Sequence, residues 1–367
     1  MNKTAIALVG GGKIGEMIAF FLISSGDYTV TVIDASQAQL DRLPDQPELT
    51  KICMDVSDSA ALAEKLKGHF AVLSAVPYFL TVAIATAAKV AKVHYLDLTE
   101  DVASTKQVKA LSENAESAFI PQCGLAPGFI SIVAADIAGH FDQLDTVRMR
   151  VGALPQFPSN SLNYNLTWST EGVINEYCEP CEALVNGELK MQPPLEHLEH
   201  FSLDGIRYES FNTSGGLGTL GETLAGKARN INYQTIRYPG HRDIMKTLLQ
   251  DLRLSERREL FKDVLEHAVP ATMQDVVLIF VSVSGRKSGK LVQETYANKI
   301  YSEEVYGQMH SAIQITTAAG ICTVLDLLHQ GKLPSQGFVK QEQVCLKDFL
   351  ANRFGCHYKQ HQIHAAA

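Results

Sequence analysis

The sequence predicts an α/β protein, with a doubly wound parallel sheet in its first third and a second, α+β domain that holds a largely antiparallel mixed sheet. Short apolar runs alternate with helical stretches through residues 4–122, which is the pattern of parallel strands joined by crossover helices. A glycine-rich turn follows the first run and opens the first helix, as expected at the start of such a sheet. The predicted strands are Thr4–Val9, Thr29–Ile33, Ile52–Met54, Ala71–Val76, Tyr95–Leu98 and Phe119–Ile120.

The turn at residues 10–15 has the letters GGGKIG and fits the G-x-G-x-x-G fingerprint of a Rossmann dinucleotide-binding domain. Gly10 would allow the tight turn, Gly12 would let the backbone approach the pyrophosphate, and Gly15 would let the helix pack on the strand. The amides at the start of the helix would then face the phosphates. A plain flexible turn is the alternative, but the position between a strand and a helix favours the nucleotide.

Asp34 ends the second strand and is the next cofactor candidate. Its carboxylate can accept hydrogen bonds from ribose hydroxyls and would repel a 2′-phosphate, so NAD is favoured over NADP. An exposed aspartate that caps the next helix is the alternative. Later strand ends lie at the same edge of the sheet and are expected to border the cofactor. The predicted cofactor-binding residues are Gly10, Gly12, Lys13, Ile14, Gly15, Asp34, Asp55, Val56, Ala75, Val76 and Pro77.

The pattern changes after residues 121–128, PQCGLAPG, which predict a turn that leaves the first domain. Asn186-Gly187 between two short runs predicts a hairpin. Further strands are predicted at Val147–Val151, Tyr208–Asn212, Ile231–Arg237, Val276–Val283 and Leu291–Ala297, and helices at residues 170–178, 241–251 and 256–267, Ser311–Leu328 and Leu346–Phe354. The predicted division is 1–124 for the NAD-binding domain, 125–310 for a substrate and dimerisation domain, and 311–367 for C-terminal helices that pack back on the first domain.

Composition limits the classes of partner. A chain of 367 residues is long for one hydrophobic core, so two domains are expected. A formal net charge of −8 and no long basic run argue against nucleic acid or a membrane surface as partner. Neither a membrane span nor a signal peptide is predicted, and seven cysteines favour free thiols over disulfides, so a cytoplasmic location is expected.

One cluster invites comparison with a zinc site. Cys178 and Cys181 are followed by His197 and His200, a pair of pairs as in zinc fingers. Zinc-finger histidines are separated by three to five residues, whereas two residues intervene here. Core thiols and surface histidines are therefore favoured, and no metal is predicted.

Several phrases resemble one family. They are CGLAPG at 123–128, RVGALP at 150–155, TWSTEG at 167–172, NEY at 175–177, FNTSGG at 211–216 and RYPGH at 237–241. With the glycine turn, they resemble the saccharopine dehydrogenase superfamily, most closely its lysine 6-dehydrogenase branch. The resemblance implies a homodimeric, NAD(P)-dependent oxidoreductase that transfers a hydride from an amine-bearing carbon of an amino acid. Lysine deamination is the leading expectation, a saccharopine (opine-type) dehydrogenase is the alternative, and a non-catalytic NAD-binding regulator is a further one.

The same resemblance implies roles for single residues. Thr213 lies in a phrase that borders the substrate's carboxylate in the family, and Arg237 would clamp that carboxylate, with a structural ion pair as its alternative. Glu171 stands where saccharopine-forming members carry a basic residue, so it suits an amine; a helix N-terminal acid is its alternative. His241, shared by lysine-type members, would take the amine proton. The predicted site residues are His241, Asp97 and Glu171 for catalysis and Arg237, Thr213, Glu176 and Tyr78 for the substrate.

Overall fold

The apolar runs of the first third form a parallel sheet in the structure, a computed structural model that describes residues 3–359. The elements are β1 (Thr4–Val9), α1 (Lys13–Ser24), β2 (Tyr28–Asp34), α2 (Gln37–Arg42), β3 (Leu49–Cys53), α3 (Ser59–Leu66), β4 (Ala71–Ser74), α4 (Thr81–Ala91), β5 (His94–Asp97), α5 (Val102–Leu111) and β6 (Ala118–Ile120). All six predicted strands are confirmed, with ends that differ by a few residues.

The order of the strands places a ligand site at one edge of this sheet. β1 lies between β2 and β4, and the chain runs outward from it in both directions. Doubly wound sheets bind ligands at the carboxyl ends of the strands on either side of this reversal. Both faces of β1 are buried, because Ile6 and Leu8 join one hydrophobic cluster while Ala7 and Val9 join another. This two-sided burial explains the continuous apolar run in the sequence.

The second domain forms a mixed sheet with helices around it. Its elements are α6 (Phe129–Ala138), β7 (Gln143–Pro155), α7 (Thr170–Cys178), β8 (Cys181–Val185), β9 (Glu188–Gln192), β10 (Glu199–Leu203), β11 (Ile206–Asn212), α8 (Leu220–Thr223), β12 (Asn230–Arg237), α9 (His241–Lys246), α10 (Arg258–Ala268), β13 (Asp275–Lys287), β14 (Lys290–Tyr301), β15 (Glu303–Val305) and β16 (Gln308–His310). The main strand order is β10-β11-β12-β7-β13-β14, and only the β12–β7 pair among its neighbours is parallel. The largely antiparallel mixed sheet is therefore confirmed.

Two local signals in this domain predicted their structure well, whereas the elements α6, α8, β10, β15 and β16 escaped prediction. Asn186-Gly187 is the turn of the β8–β9 hairpin, with Val185 paired to Glu188. The helix predicted at 241–251 is α9 together with a π-helical turn at Thr247–Asp251. β10 was not predicted, because its side chains are all exposed or half-buried and show no apolar face. It contains His200, one of the residues of the disfavoured zinc motif.

The chain then returns to the first sheet. α11 (Ala312–His329) packs against α1 and β13, and is followed by β17 (Gly337–Phe338) and α12 (Leu346–Ala351). α11 is long and apolar enough to cross a membrane, but 89% of it is buried inside the protein, as in a core helix. β17 pairs with β6 as a seventh parallel strand, which two residues without a pattern could not predict. The exact domain boundaries at 124 and 310 stay a prediction.

Candidate active site

The glycine turn after β1 has the geometry of a phosphate-binding turn. Gly10 has a positive φ of 105°, and a Cβ there would lie 2.5 Å from the carbonyl oxygen of Ala75. A Cβ on Gly15 would lie 1.9 Å from the carbonyl oxygen of Gly10, so the helix can approach only without a side chain. At Gly12, in contrast, a Cβ would meet no atom within 4 Å. The turn therefore leaves open space over the start of α1, where a pyrophosphate fits.

Asp34 ties this turn to the end of β2. Its Oδ2 accepts a hydrogen bond of 2.7 Å from the amide of Gly11, and its Oδ1 accepts one of 2.7 Å from the amide of Ser36. The alternative role as helix cap is filled by Ser36, whose side chain accepts from the amide of Gln39 at the start of α2. Within residues 3–359 no lysine or arginine forms an ion pair with Asp34. A carboxylate held here without a cation suits ribose hydroxyls better than a 2′-phosphate.

The two predicted residues after β3 differ from each other. Asp55 is exposed, and hydrogen bonds from the backbone and side chain of Ser57 lower the pKa of its carboxyl. Val56 is buried in the hydrophobic cluster beneath α3. Contact of either residue with an adenine stays a prediction.

A cavity of about 250 Å³ lies between the carboxyl edge of the parallel sheet and the second sheet. It brings together residues that are far apart in sequence. The predicted site residues that line it are Ile14, Ala75, Val76, Pro77, Tyr78, Glu171, Glu176 and Arg237. Polar or aromatic lining residues outside the predicted set are Glu100, Thr99, Trp168, Ser169, Tyr233, Thr235 and Thr317. The cavity thus joins the end of the glycine turn to the predicted substrate residues.

Arg237, at the end of β12, is a buried cation in this cavity. Its Nε donates to the hydroxyl of Tyr177 at 2.9 Å and its Nη1 donates to the carbonyl of Ile236 at 2.8 Å. The guanidinium carbon lies 5.1 Å from the ring centre of Tyr164. No carboxylate among the described residues forms an ion pair with it, so the structural ion pair weighed above is absent. A buried, unpaired guanidinium is suited to bind an anionic ligand group.

His241, the predicted base, lies behind Tyr177 and does not line the cavity. Its Nδ1 is 2.8 Å from the carbonyl oxygen of Leu162, which can only accept, so Nδ1 carries the proton. Nε2 then accepts from the Tyr177 hydroxyl at 3.0 Å. Burial, and then the charge of Arg237, lower the pKa of His241 to about 3. The role of general base is therefore not supported, since both ring nitrogens are engaged away from the cavity.

Asp97 is a second predicted catalytic residue that does not reach the cavity. It is buried at the end of β5 and accepts from the hydroxyl of Tyr95 at 2.7 Å and from the amides of Gln122 at 2.8 Å and Thr99 at 3.0 Å. Burial raises the pKa of its carboxyl to about 6, and these hydrogen bonds oppose the rise. Its observed contacts shape the loop after β5 and give it no access to a ligand.

Thr213 is likewise separate from the main cavity. It lines a pocket of about 30 Å³ between the two domains, with Gln122 and Thr105. Its hydroxyl is buried and has no hydrogen-bond partner among the described residues. The expected contact with a substrate carboxylate held by Arg237 is therefore not supported.

The two glutamates of α7 both line the cavity but differ in their partners. Glu171 is in the first turn, and its Oε1 is 2.5 Å from Nζ of Lys262. Glu176 is buried, and its carboxylate has no hydrogen bond or ion pair within the described chain. Burial, and then the charge of Glu100, raise the pKa of Glu176 to about 8, while Arg237 opposes the rise. Burial likewise raises the pKa of Glu100 to about 7.

No metal site accompanies these residues in the part of the chain that the structure describes. No group of three or more histidine, cysteine, aspartate or glutamate side chains there could hold a metal ion. Cys178 ends α7, Cys181 begins β8, and both are free thiols.

Family models match most of the chain. The model described as the saccharopine dehydrogenase NADP binding domain matches residues 6–120, and the saccharopine dehydrogenase C-terminal domain matches residues 124–354. The chain belongs to the saccharopine dehydrogenase family. The resemblance found in the sequence is thereby confirmed, whereas the assignment to the lysine 6-dehydrogenase branch stays a prediction.

The chain is also similar to curated proteins over most of its length. The mitochondrial alpha-aminoadipic semialdehyde synthase of Bos taurus is 22% identical over 320 residues, which cover 82% of this chain and 33% of that protein. A saccharopine dehydrogenase [NADP(+), L-glutamate-forming] of Pyricularia oryzae is 23% identical over 305 residues, covering 77% of this chain and 67% of that protein. The chain spans about a third of the length of the semialdehyde synthases that it matches.

Solved structures show the same fold over nearly the whole chain. Apo saccharopine dehydrogenase (L-Glu forming) from Saccharomyces cerevisiae has a TM-score of 0.77 at 16% identity and covers 95% of this chain and 97% of that one. A homospermidine synthase from Legionella pneumophila, in complex with NAD, has a TM-score of 0.68 at 11% identity, covering 98% and 90%. At these identities the likeness concerns the fold alone.

Proposed function

We propose that the protein is a nicotinamide-dependent oxidoreductase that oxidises the amine-bearing carbon of an amino acid with one carboxylate and a side-chain amine, as in the oxidative deamination of lysine. The charge of the cavity carries this proposal. Of the described residues that line it, one is a cation, Arg237, and three have carboxyl groups, Glu100, Glu171 and Glu176. A ligand that complements this lining has one anionic group and at least one ammonium group.

Each end of such a substrate has a matching partner in the cavity. The unpaired guanidinium of Arg237 can bind both oxygens of an α-carboxylate. The carboxylates suit an ammonium group, although the charge of Glu171 is already shared with Lys262. The aromatic faces of Trp168 and Tyr233 line the same space and suit methylene groups or a cation.

The chain's own residues bind, orient and deprotonate the substrate in this proposal. When bound, the nicotinamide cofactor accepts the hydride that leaves the amine-bearing carbon. The cavity excludes bulk water from the path of that hydride and keeps the carboxylate of the substrate fixed on Arg237. Loss of one proton from the amine lets its nitrogen form the C=N bond as the hydride leaves, so a proton acceptor is required.

Oxidation of saccharopine is the second candidate, and the names of the relatives favour it. Saccharopine carries more carboxylates than lysine, and each needs a cation or several donors. Among the described residues that line the cavity, only Arg237 is a cation, and Glu171, together with Glu176 in its ionised form, would repel further carboxylates. The electrostatics therefore favour the diamine substrate over saccharopine.

The preferred cofactor is part of the proposal. The descriptions of the matching family model and of the relative from Pyricularia oryzae name NADP, which favours NADP for this chain. The single observation for NAD is Asp34, whose carboxylate sits at the end of β2 without a paired cation. We propose NAD on that physical ground, and direct binding of both nucleotides decides between them.

A substrate panel tests the reaction. Reduced nicotinamide is followed by its absorbance with lysine, with saccharopine and with other diamine and monoamine amino acids, each with NAD and with NADP. The expected result is turnover with lysine or a close diamine and little with saccharopine. Efficient oxidation of saccharopine with lysine ignored would favour the second candidate. Tight nucleotide binding with no turnover of any amine would favour a regulator.

A further inference from the structure

Glu176 differs from the other buried carboxylates of the protein. Buried carboxylates elsewhere in the described chain accept several hydrogen bonds each, as expected for charges removed from water. Those with two or more donors are Asp97, Glu209, Asp275 and Asp326. Glu176 is 5% exposed and has no donor among the described residues. Because its carboxyl group faces the cavity without a structural partner, the side chain is available to a ligand.

Glu100 faces the same cavity from the other domain. It lies in the loop after β5, whereas Glu176 is on α7. One turn fixes the backbone of both residues. The amide of Ser214 donates to the carbonyl of Glu176 at 3.0 Å, and a Cβ on Gly215 would lie 2.2 Å from the carbonyl oxygen of Glu100. The two glutamates are therefore held near each other by the packing of this turn.

We propose that Glu176 accepts the proton of the substrate amine and that Glu100, across the domain boundary, is a positioning residue that sets the pH at which Glu176 can do so. This inference rests on the proposed amine oxidation and names its base. A carboxylate buried in an apolar cavity is fully ionised near neutral pH only if a cation stabilises its charge. Burial, and then the charge of the neighbouring Glu100, keep Glu176 partly protonated near neutral pH against the opposing charge of Arg237, which is the condition for efficient proton transfer in both directions.

The arginine, the thiol and the phenols around Glu176 keep one protonation state near neutral pH. Arg237 faces Glu176 from β12 and stays protonated. Burial raises the pKa of the thiol of Cys181, beside Glu176, to about 12, and the pKa values of the phenols of Tyr164, Tyr177 and Tyr233 are raised as well. Asp101 and Asp97 neighbour Glu100, and their charges raise its pKa further. Glu100 and Glu176 thus titrate around neutral to mildly basic pH.

The proposed reaction needs only the amine, the oxidised nicotinamide and water. The ammonium R–CH₂–NH₃⁺ transfers one proton to the ionised carboxylate of Glu176 and becomes R–CH₂–NH₂. The carbon then loses a hydride, with its two electrons, to the oxidised nicotinamide, and the nitrogen lone pair forms R–CH=NH₂⁺. Water hydrolyses that iminium to an aldehyde and ammonium. The proton on Glu176 leaves to solvent before the next cycle.

Kinetics of two variants and a control test the roles separately. Glu176→Gln is expected to lower kcat by about 100-fold, the usual contribution of a general base, and to remove the acid limb of the pH profile of kcat/KM. Glu100→Gln is expected to keep that limb and move it to lower pH, because the repelling charge is gone. Glu342→Gln, at a carboxylate outside the cavity that accepts from Thr219, should leave the profile unchanged. The assignment of Glu176 as base is overturned if Glu176→Gln has a raised KM but keeps the acid limb of the pH profile. The role of Glu100 is overturned if the acid limb of Glu100→Gln lies at the same pH as in the unaltered protein.

Infrared titration provides a readout that does not depend on turnover. The band of a protonated carboxyl is followed against pH in the unaltered protein, and a component with a midpoint near pH 8 is expected. It should disappear in Glu176→Gln, shift to lower pH in Glu100→Gln and persist in Glu342→Gln. Persistence of the component in a folded Glu176→Gln protein contradicts the inference. If the unaltered protein oxidises no amine, the proposed function fails. If it oxidises lysine and Glu176→Gln has the same kinetics and titration as the Glu342→Gln control, only this inference fails.

Discussion

The hydroxyl of Tyr177 lies 3.0 Å from Nε2 of His241, and the proton of this hydrogen bond belongs to the tyrosine. Since the histidine keeps its own proton on Nδ1, the phenol must donate to Nε2, and its oxygen is left to accept from Nε of Arg237. A neutral histidine in α9 thereby orients a cation that lines the cavity. His241 contacts Tyr177 behind the cavity and does not line the cavity itself.

Replacement of Tyr177 by phenylalanine tests this relay. Tyr177→Phe should raise the KM for the amino acid up to about tenfold with a smaller change in kcat, because one hydrogen bond that orients Arg237 is lost. Steady-state kinetics at saturating cofactor measure the split. An equal loss of kcat with unchanged KM would show that the phenol takes part in the chemical step.

His241 also predicts a pH dependence of stability. Its pKa is lowered in the folded state to about 3, so folding is favoured by the neutral ring, and that contribution is fully present above the unfolded-state pKa of about 6.5. As pH falls below about 6.5, the unfolded chain binds the proton and stability is lost. Thermal unfolding of His241→Gln should show a smaller loss of stability between pH 7 and pH 5 than the unaltered protein. The exposed His140→Gln is the matched control, and an identical slope in His241→Gln would contradict the prediction.

Removal of Arg237 should weaken binding of the substrate carboxylate. Arg237→Ala is expected to raise the KM by about tenfold to over a hundredfold, since charge-assisted hydrogen bonds contribute about 1.5–3 kcal/mol. Arg148→Ala, at an exposed arginine on β7, is the control and should leave the KM unchanged. Retained affinity for the amino acid in a folded Arg237→Ala protein would place the carboxylate elsewhere.

The glycine turn allows a test on the cofactor alone. Gly12→Val should abolish dinucleotide binding and leave folding intact, because the new side chain would point into open space that the pyrophosphate needs. Calorimetric titration with NAD and circular dichroism measure the two properties. Glu16→Ala, on the exposed side of α1, serves as control. Undiminished NAD affinity in Gly12→Val would mean that the phosphates bind elsewhere.

Replacement of Asp34 tests the proposed preference for NAD over NADP. The unaltered protein should bind NAD more tightly than NADP. Asp34→Ala should make the two affinities more similar, because it weakens the binding of NAD. Asp41→Ala, at an exposed aspartate of α2, should change neither affinity. Tighter binding of NADP by the unaltered protein would agree with the names of its relatives and remove the ribose role from Asp34.

Local patterns predicted the fold well because they report local physics. The two-sided burial of β1 requires a continuous apolar run, and the close approach of Gly15 to Gly10 excludes any side chain. Both constraints act on neighbouring residues and leave a signature in sequence. β10 and β17 escaped prediction because one shows no apolar face and the other has two residues.

The candidate site was predicted less completely because its chemistry depends on distant contacts. Arg237 and Glu176, predicted as substrate residues, line the cavity, and their contact with a substrate stays a prediction; the family phrases suggested His241 as the base. The place of His241 behind Tyr177 depends on a hydrogen bond between α7 and α9, which the spacing of residues along the chain does not reveal. Glu100 follows Asp97 by three residues in the sequence. Only the structure shows that Glu100 faces the cavity, whereas the carboxylate of Asp97 is bound by backbone amides.

The parallel sheet of the nucleotide-binding domain contains segments from both ends of the described chain, because its seventh strand is β17. β17 covers the edge of β6, and α11 covers the apolar side of α1. During synthesis, β1 to β6 emerge long before either cover exists, so the nascent half presents an open strand edge and an uncovered helix until residue 338 has left the ribosome. A fragment ending near residue 124 would keep that open edge permanently. Attempts to express the first domain alone therefore need the segment from α11 to β17 supplied as a second chain or joined through a linker.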